Sequence, residues 1–179
     1  MERIILITGY AGSGKDAAGK VLIEQGYVRY AFADSVKRFS SKRHNFSFNL
    51  TQTQEGKAST VISAYNNTVA TVREFLISDS AEMKQTHNDP AFWAKLLAKK
   101  IKEDQLQKVV VTDWRYTAEF RNFKEEFNSK ITTVRIYRNS VKPLDDPSEH
   151  ELDAVACDHI IQNNGTMTEL KERVLQLPS

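Results

Sequence analysis

The segment Gly9-Tyr10-Ala11-Gly12-Ser13-Gly14-Lys15-Asp16 constrains this chain more than any other. It fits G-x-x-x-x-G-K and lies between an apolar run, Ile4–Thr8, and a stretch in which Ala18, Val21 and Leu22 share one helical face. A strand that turns through glycines into a helix presents several inward N–H groups to an anion. The helix that follows adds the positive end of its dipole. Lys15 brings a full charge to the β- and γ-phosphates of a bound nucleotide. Asp16 stands where a serine or threonine usually offers its hydroxyl to Mg²⁺, and a carboxylate is also a hard oxygen ligand.

Such a loop requires a strand–turn–helix, and the rest of the chain supplies more of the same. Further apolar runs at Val28–Phe32, Val109–Thr112, Thr132–Tyr137 and His159–Ile161 read as strands. Thr71-x-x-Glu74, Ser148-x-x-Glu151 and Thr166-x-x-Glu169 are capping-box patterns. Asp89-Pro90 reads as an N-cap with proline at the first helical position. Phe92, Trp93, Leu96, Leu97 and Ile101 form an apolar stripe that reads as core. Strands alternating with helices imply a three-layer α/β/α domain with a five-stranded, mostly parallel sheet. Residues 40–69 are polar and read as an excursion with one or two short helices.

A chain of 179 residues suits one domain, 1–179. Net charge of +2 gives no basic field that calls for a stable nucleic-acid partner. No stretch approaches the roughly 20 apolar residues that span a bilayer. The opening run from Met1 is too short for a signal peptide. The single cysteine, Cys157, excludes an internal disulfide framework, fits a reducing compartment and reads as a small buried residue. A cytoplasmic location follows as the expectation. The four histidines show no metal-ligand spacing.

Asp113-Trp114-Arg115 follows the run Val109–Thr112. Residues just past the carboxyl ends of parallel strands face the ligand crevice. There Asp113 can hold Mg²⁺ through water and Arg115 can grip a phosphate bidentately. Arg73 sits in the first turn of the helix capped by Thr71, where a cation is locally unfavourable. Lys37 and Arg38 follow the strand that ends at Phe32. On either of these segments a solvated basic side chain is an equally good reading.

Taken in order, these segments resemble the deoxynucleoside monophosphate kinases of tailed bacteriophages and related viruses. The resemblance rests on the loop ending Gly-Lys-Asp, on Phe32-Ala33-Asp34-Ser35-Val36-Lys37, and on Thr71-Val72-Arg73-Glu74-Phe75-Leu76. It continues through Asp89-Pro90-Ala91-Phe92-Trp93, Asp113-Trp114-Arg115-Tyr116-Thr117-Ala118-Glu119, Ser148-Glu149 and the stretch from Asp158 to Gly165. It implies a P-loop kinase fold, ATP and Mg²⁺ as cofactors, and a deoxynucleoside monophosphate as small-molecule partner. Ala11, Gly12, Ser13, Gly14, Lys15, Asp16 and Ala17 would bind the ATP phosphates, with Asp16 and Asp113 toward the metal. Lys37, Arg73 and Arg115 would hold the acceptor phosphate, with Asp113, Trp114 and Glu119 on the same side. Arg138 would reach ATP from the side of a lid-like loop, 139–150, and Asn163-Asn164-Gly165 would lie beside the adenine. Lys15, Arg73 and Arg115 would be the catalytic cations.

Ala17, Trp114 and the missing proline before Arg73 differ from the family pattern, and they bear on metal binding and pocket shape. Two rivals share the loop: a kinase of another acceptor, such as a modified base in DNA, and a nucleotide-binding module without transfer activity. The oligomeric state, monomer or homodimer, stays open.

Overall fold

The structure, a computed structural model, describes residues 3–127 and 131–178. Met1, where the opening run was read, lies outside them. The chain divides into two compact units, one formed by Met1–Ala31 and Ala98–Ser179, the other by Phe32–Leu97.

The first unit is built on a sheet. Its strands are β1 (Arg3–Thr8), β2 (Val28–Tyr30), β5 (Lys108–Val111), β6 (Ile131–Tyr137) and β7 (His159–Gln162), in the order β2-β5-β1-β6-β7. Every pairing is parallel. Ile5, Ile7, Val110, Val134, Ile136 and Ile161 point to one face, where they pack with Ala18, Val21 and Leu22 of α1 (Lys15–Glu24) and Leu170 and Val174 of α8 (Met167–Leu175). The alternate residues Ile4, Leu6, Val109 and Val111 are buried too, and α6 (Thr117–Phe127) packs on β6 with Phe123 fully enclosed. Burial on both faces explains why β1 and β5 read as unbroken apolar runs. The five-stranded parallel sheet flanked by helices is the architecture expected from the sequence.

The second unit contains α2 (Phe32–His44), a 3₁₀ turn (Phe48–Thr51), α3 (Gln54–Ala58), the antiparallel pair β3 (Thr60–Ile62) and β4 (Val69–Thr71), and α4 (Val72–Thr86). Phe46, Val72 and Phe75 form its small core. The boundary between the units falls within α5 (Phe92–Glu103).

Several local expectations need correction. Phe32 does not end β2 but opens α2, because Phe32, Val36, Ser40 and His44 recur every fourth residue on the buried face. Leu96 is exposed at 41%; Ala94 and Ala98 complete the buried face of α5 with Trp93, Leu97 and Ile101. That helix starts at Phe92, and Asp89 Oδ1 accepts from the Ala91 N–H to close a turn ahead of it. Ser148 is not a cap: Asp146 caps α7 (Pro147–His150) by accepting from the Ser148 N–H, and Glu151 accepts from Thr117 instead. Both other capping boxes are present, at Thr71–Glu74 and Thr166–Glu169. Residues 40–69 hold short helices as expected, and also the β3–β4 hairpin, whose three-residue strands give too little alternation to be read. Cys157 is half-buried, not enclosed, and lines a cavity of about 460 Å³ with Gly9, Tyr10, Arg135 and Asp153.

Candidate active site

In the first unit, β1 is flanked by β5 and β6, so the segments leaving the carboxyl ends of β1 and β5 lie side by side. The first of these is the glycine loop. Gly9, Gly12 and Gly14 all have positive φ. A Cβ on Gly9 would stand 2.3 Å from the Ile136 carbonyl oxygen, and one on Gly14 would stand 2.3 Å from Asn163 Nδ2. At both positions glycine is required by conformation and by close approach.

Gly14 caps α1 in the left-handed region with no side-chain hydrogen bond to the helix. The first-turn amides therefore lack an internal acceptor, the arrangement that favours an anion. Ser13 Oγ is buried with no hydrogen-bond partner among the described residues. The Lys15 ammonium donates to the carbonyls of Gly9, at 2.6 Å, and Tyr10, at 2.8 Å. Burial lowers its pKa below the lysine value of 10.5, and the neighbouring Arg115 charge adds to that; Glu149, Asp16 and Asp113 oppose it. These charges thus converge on one place, and the donor set fits a phosphate chain.

The second segment runs from Thr112 to Tyr116. Arg115 Nη1 donates to Ser148 Oγ at 2.8 Å and lies 3.2 Å from Glu149 Oε1. Glu119, at the start of α6, turns its carboxylate back to accept the N–H groups of Arg115 and Tyr116, both at 3.0 Å. Its buried oxygen fixes the backbone that carries Arg115. Trp114 is 1% exposed, donates its indole N–H to the Tyr116 carbonyl and packs on Phe120. It shapes the segment from beneath.

Asp113 is half-buried, whereas Asp16 is 84% exposed and 3.9 Å from Arg29. No group of three or more His, Cys, Asp or Glu among the described residues is placed to hold a metal. A divalent ion here would have to share its coordination with phosphate oxygens and water.

Arg138 is exposed just past β6, and Asn164 Oδ1 accepts from the Asn139 N–H at 2.7 Å, tying together the segments that follow β6 and β7. Asn163 Nδ2 donates to the Ser13 carbonyl at 2.8 Å. Asn163 therefore props the loop from below, a role its neighbour Asn164 does not share. In the second unit, Lys37 is 14% exposed and lies 3.2 Å from Asp34. Arg73 is exposed and donates to Gln54 Oε1 at 2.6 Å.

Glu149 is the residue that sequence reasoning did not bring into the site. It appeared only within the Ser148-Glu149 resemblance, yet its Oε2 accepts the Ala11 N–H at 2.8 Å across 138 positions of chain. No local signal reveals a contact of that range.

Residues 39–174 match a family model described as deoxynucleotide monophosphate kinase. No curated protein matches the sequence. Among solved structures, TT1252 from Thermus thermophilus is 14% identical, covers 99% of each chain and gives a TM-score of 0.50, a likeness of fold alone. Shikimate kinase from Aquifex aeolicus is 19% identical over 96% of this chain and 93% of its own, at a TM-score of 0.46. Dephospho-CoA kinase from Campylobacter jejuni is 11% identical over 98% and 95%, at 0.49.

Proposed function

Because the chain belongs to the deoxynucleotide monophosphate kinase family, we propose that it transfers the γ-phosphoryl group of ATP to a deoxynucleoside 5′-monophosphate. The observation that carries this reading is a pairing of independent features. The family match begins at residue 39, while the phosphate-binding loop lies wholly before it, at Gly9–Asp16. The loop supports a nucleotide phosphate donor, and the family supports the acceptor class.

The acceptor's phosphate oxygen attacks the γ-phosphorus as the bond to the β-bridging oxygen breaks, leaving a deoxynucleoside diphosphate and ADP. The attacking oxygen is already anionic near neutral pH, so no general base is required. Catalysis then rests on alignment and charge neutralisation. The amides of Ala11 to Ala17 and the start of α1 hold the donor phosphates, and Lys15 turns from the Gly9 and Tyr10 carbonyls toward them. Arg115 meets the transferring group or the acceptor phosphate, and Glu119 keeps its backbone in place. Lys37 and Arg73 are assigned to the acceptor phosphate, Trp114 to the shape of the acceptor side, and residues 40–69 to that side. Arg138 and Asn164, with loop 139–150 as a lid, are assigned to the donor nucleotide. Mg²⁺ would supply further neutralisation of the phosphates; Asp16, directly or through water, and Asp113, through water, are the carboxylates that would hold it.

The test is ADP release from ATP and Mg²⁺ with each of the four deoxynucleoside monophosphates, the matching ribonucleotides and a control without acceptor. Turnover that requires a deoxynucleotide, and that Lys15→Ala abolishes, is the expected result. ATP binding without acceptor-dependent turnover would sink the reading.

A further inference from the structure

Two donors assigned above to substrate phosphates are already occupied by an anion from the chain itself. Glu149 Oε2 accepts the Ala11 N–H at 2.8 Å, and Glu149 Oε1 lies 3.2 Å from Arg115 Nη1. Only 2% of the Glu149 side chain is exposed. A carboxylate bridging a loop amide and a guanidinium makes the contacts a phosphate oxygen pair would make.

We propose that Glu149 is a resident phosphate surrogate: its carboxylate fills a phosphate position of the Gly9–Lys15 loop when no nucleotide is bound, and it must leave before a phosphate chain can settle there. The inference rests on the reading of that loop as a phosphate site. Co-occupancy is disfavoured, since two anions within hydrogen-bond reach of one N–H repel strongly in a place this sheltered from water. Vacating the position without a replacement is also costly, because it would leave Arg115 and Lys15 with less compensation. Glu149 and phosphate therefore exchange.

The carrier of the carboxylate is built for such an exchange. Glu149 sits on α7, a single turn of four residues. Just beyond it, Asp153 Oδ1 accepts the Tyr10 hydroxyl at 2.8 Å, and Asp153 Oδ2 lies 3.0 Å from His150 Nδ1. Arg135 donates to the carbonyls of Leu152 and Val155 from below. The Tyr10–Asp153 bond thus ties the segment that follows α7 to the loop, one residue before Ala11. Loosening that fastening weakens the surrogate without altering any charge.

The experiment is calorimetric titration of inorganic tripolyphosphate, and separately of ATP, at fixed ionic strength, into the full-length protein and three variants. Glu149→Gln keeps the size but removes the charge, and should tighten both ligands by about tenfold. Tyr10→Phe should tighten them by about threefold. Glu172→Gln, on the exposed surface of α8, should leave both affinities unchanged and controls for net charge. Tripolyphosphate binding that Glu149→Gln leaves unchanged or weakens would overturn the surrogate while leaving the phosphate loop intact. Should Glu149→Gln fail to fold, the same criterion applies to Tyr10→Phe. If neither wild type nor any variant binds tripolyphosphate or ATP, the loop reading and the surrogate fall together.

Discussion

His44 and Asp79 meet inside the second unit, with Nε2 3.0 Å from Oδ2 and only 3% and 2% of the two side chains exposed. Ser63 Oγ lies 2.6 Å from the other ring nitrogen, and Arg43 reaches Asp79 Oδ1 at 2.9 Å. The Ser-His-Asp order is that of a hydrolytic triad, but Ser63 is completely buried, so no substrate reaches it. These residues instead join the end of α2, the turn after β3 and the middle of α4. Removing one member of a buried charged network leaves the others unpaired. Asp79→Ala should lower stability by about 3 kcal/mol, and Ser63→Ala by about 1 kcal/mol. Urea unfolding of the two variants tests this; a loss at Asp79 no larger than at Ser63 would reject the network as a clamp.

Lys15 should show a trade between activity and stability. Replacing it with alanine removes the cation assigned to the donor phosphates, and kcat should fall by about 100-fold or more. Its pKa is held below 10.5, chiefly by burial and then by Arg115. A lysine whose charged form is disfavoured by folding destabilises the native state below its folded pKa. That cost fades as pH rises toward 10.5, because there the unfolded chain also releases the proton. Lys15→Met should therefore be more stable than wild type near neutral pH, with the gap closing in alkaline buffer. Thermal melts across that range measure it.

Asp158 gives the opposite pH dependence. Its carboxylate accepts the Thr133 N–H and hydroxyl, at 2.8 and 2.7 Å, and these bonds, the backbone one first, lower its pKa below 3.8. Stability from this link is present above the unfolded value and is lost as pH falls through the folded one. Asp158→Asn should cost about 0.5 kcal/mol at neutral pH, given its exposure. The deficit should vanish in acid, where both proteins carry a neutral group.

Gly9 and Gly26 separate conformational strain from steric conflict. Both have positive φ, but a Cβ on Gly26 meets nothing within 4 Å, whereas one on Gly9 strikes a backbone carbonyl. Gly26→Ala should cost about 1 kcal/mol. Gly9→Ala should cost clearly more and weaken tripolyphosphate binding. Equal losses in denaturant midpoint would contradict the packing around the loop.

The sequence was most readable where a local rule carries the structure. The central strands β1 and β5 are apolar because both faces are covered, and the loop is legible because its glycines, lysine and flanking elements adjoin in the chain. The capping boxes at Thr71 and Thr166 join residues only three positions apart. Long-range partnerships left no such trace. The Glu149 carboxylate and the Ala11 backbone N–H, or His44 and Asp79, are ordinary groups until the fold brings them together. Ser148-x-x-Glu151 has the pattern of a cap, but Asp146, two residues earlier, competes for the same helix start and holds it. Hydrophobicity alone points Leu96 to the core, but the small side chains of Ala94 and Ala98 complete the buried face of α5.

The strand order has a consequence for how the protein is made. β1 occupies the middle of its sheet, where Ile5 pairs with Val110 on one side and Thr132 on the other. Both neighbours are translated long after it, and the whole of Phe32–Leu97 is synthesised in between. On the ribosome, the uninterrupted second unit can fold first. The apolar run Ile4–Ile7 meanwhile waits without a sheet partner until β5 emerges. Nascent chains stalled before residue 108 should therefore be the ones that chaperones hold longest.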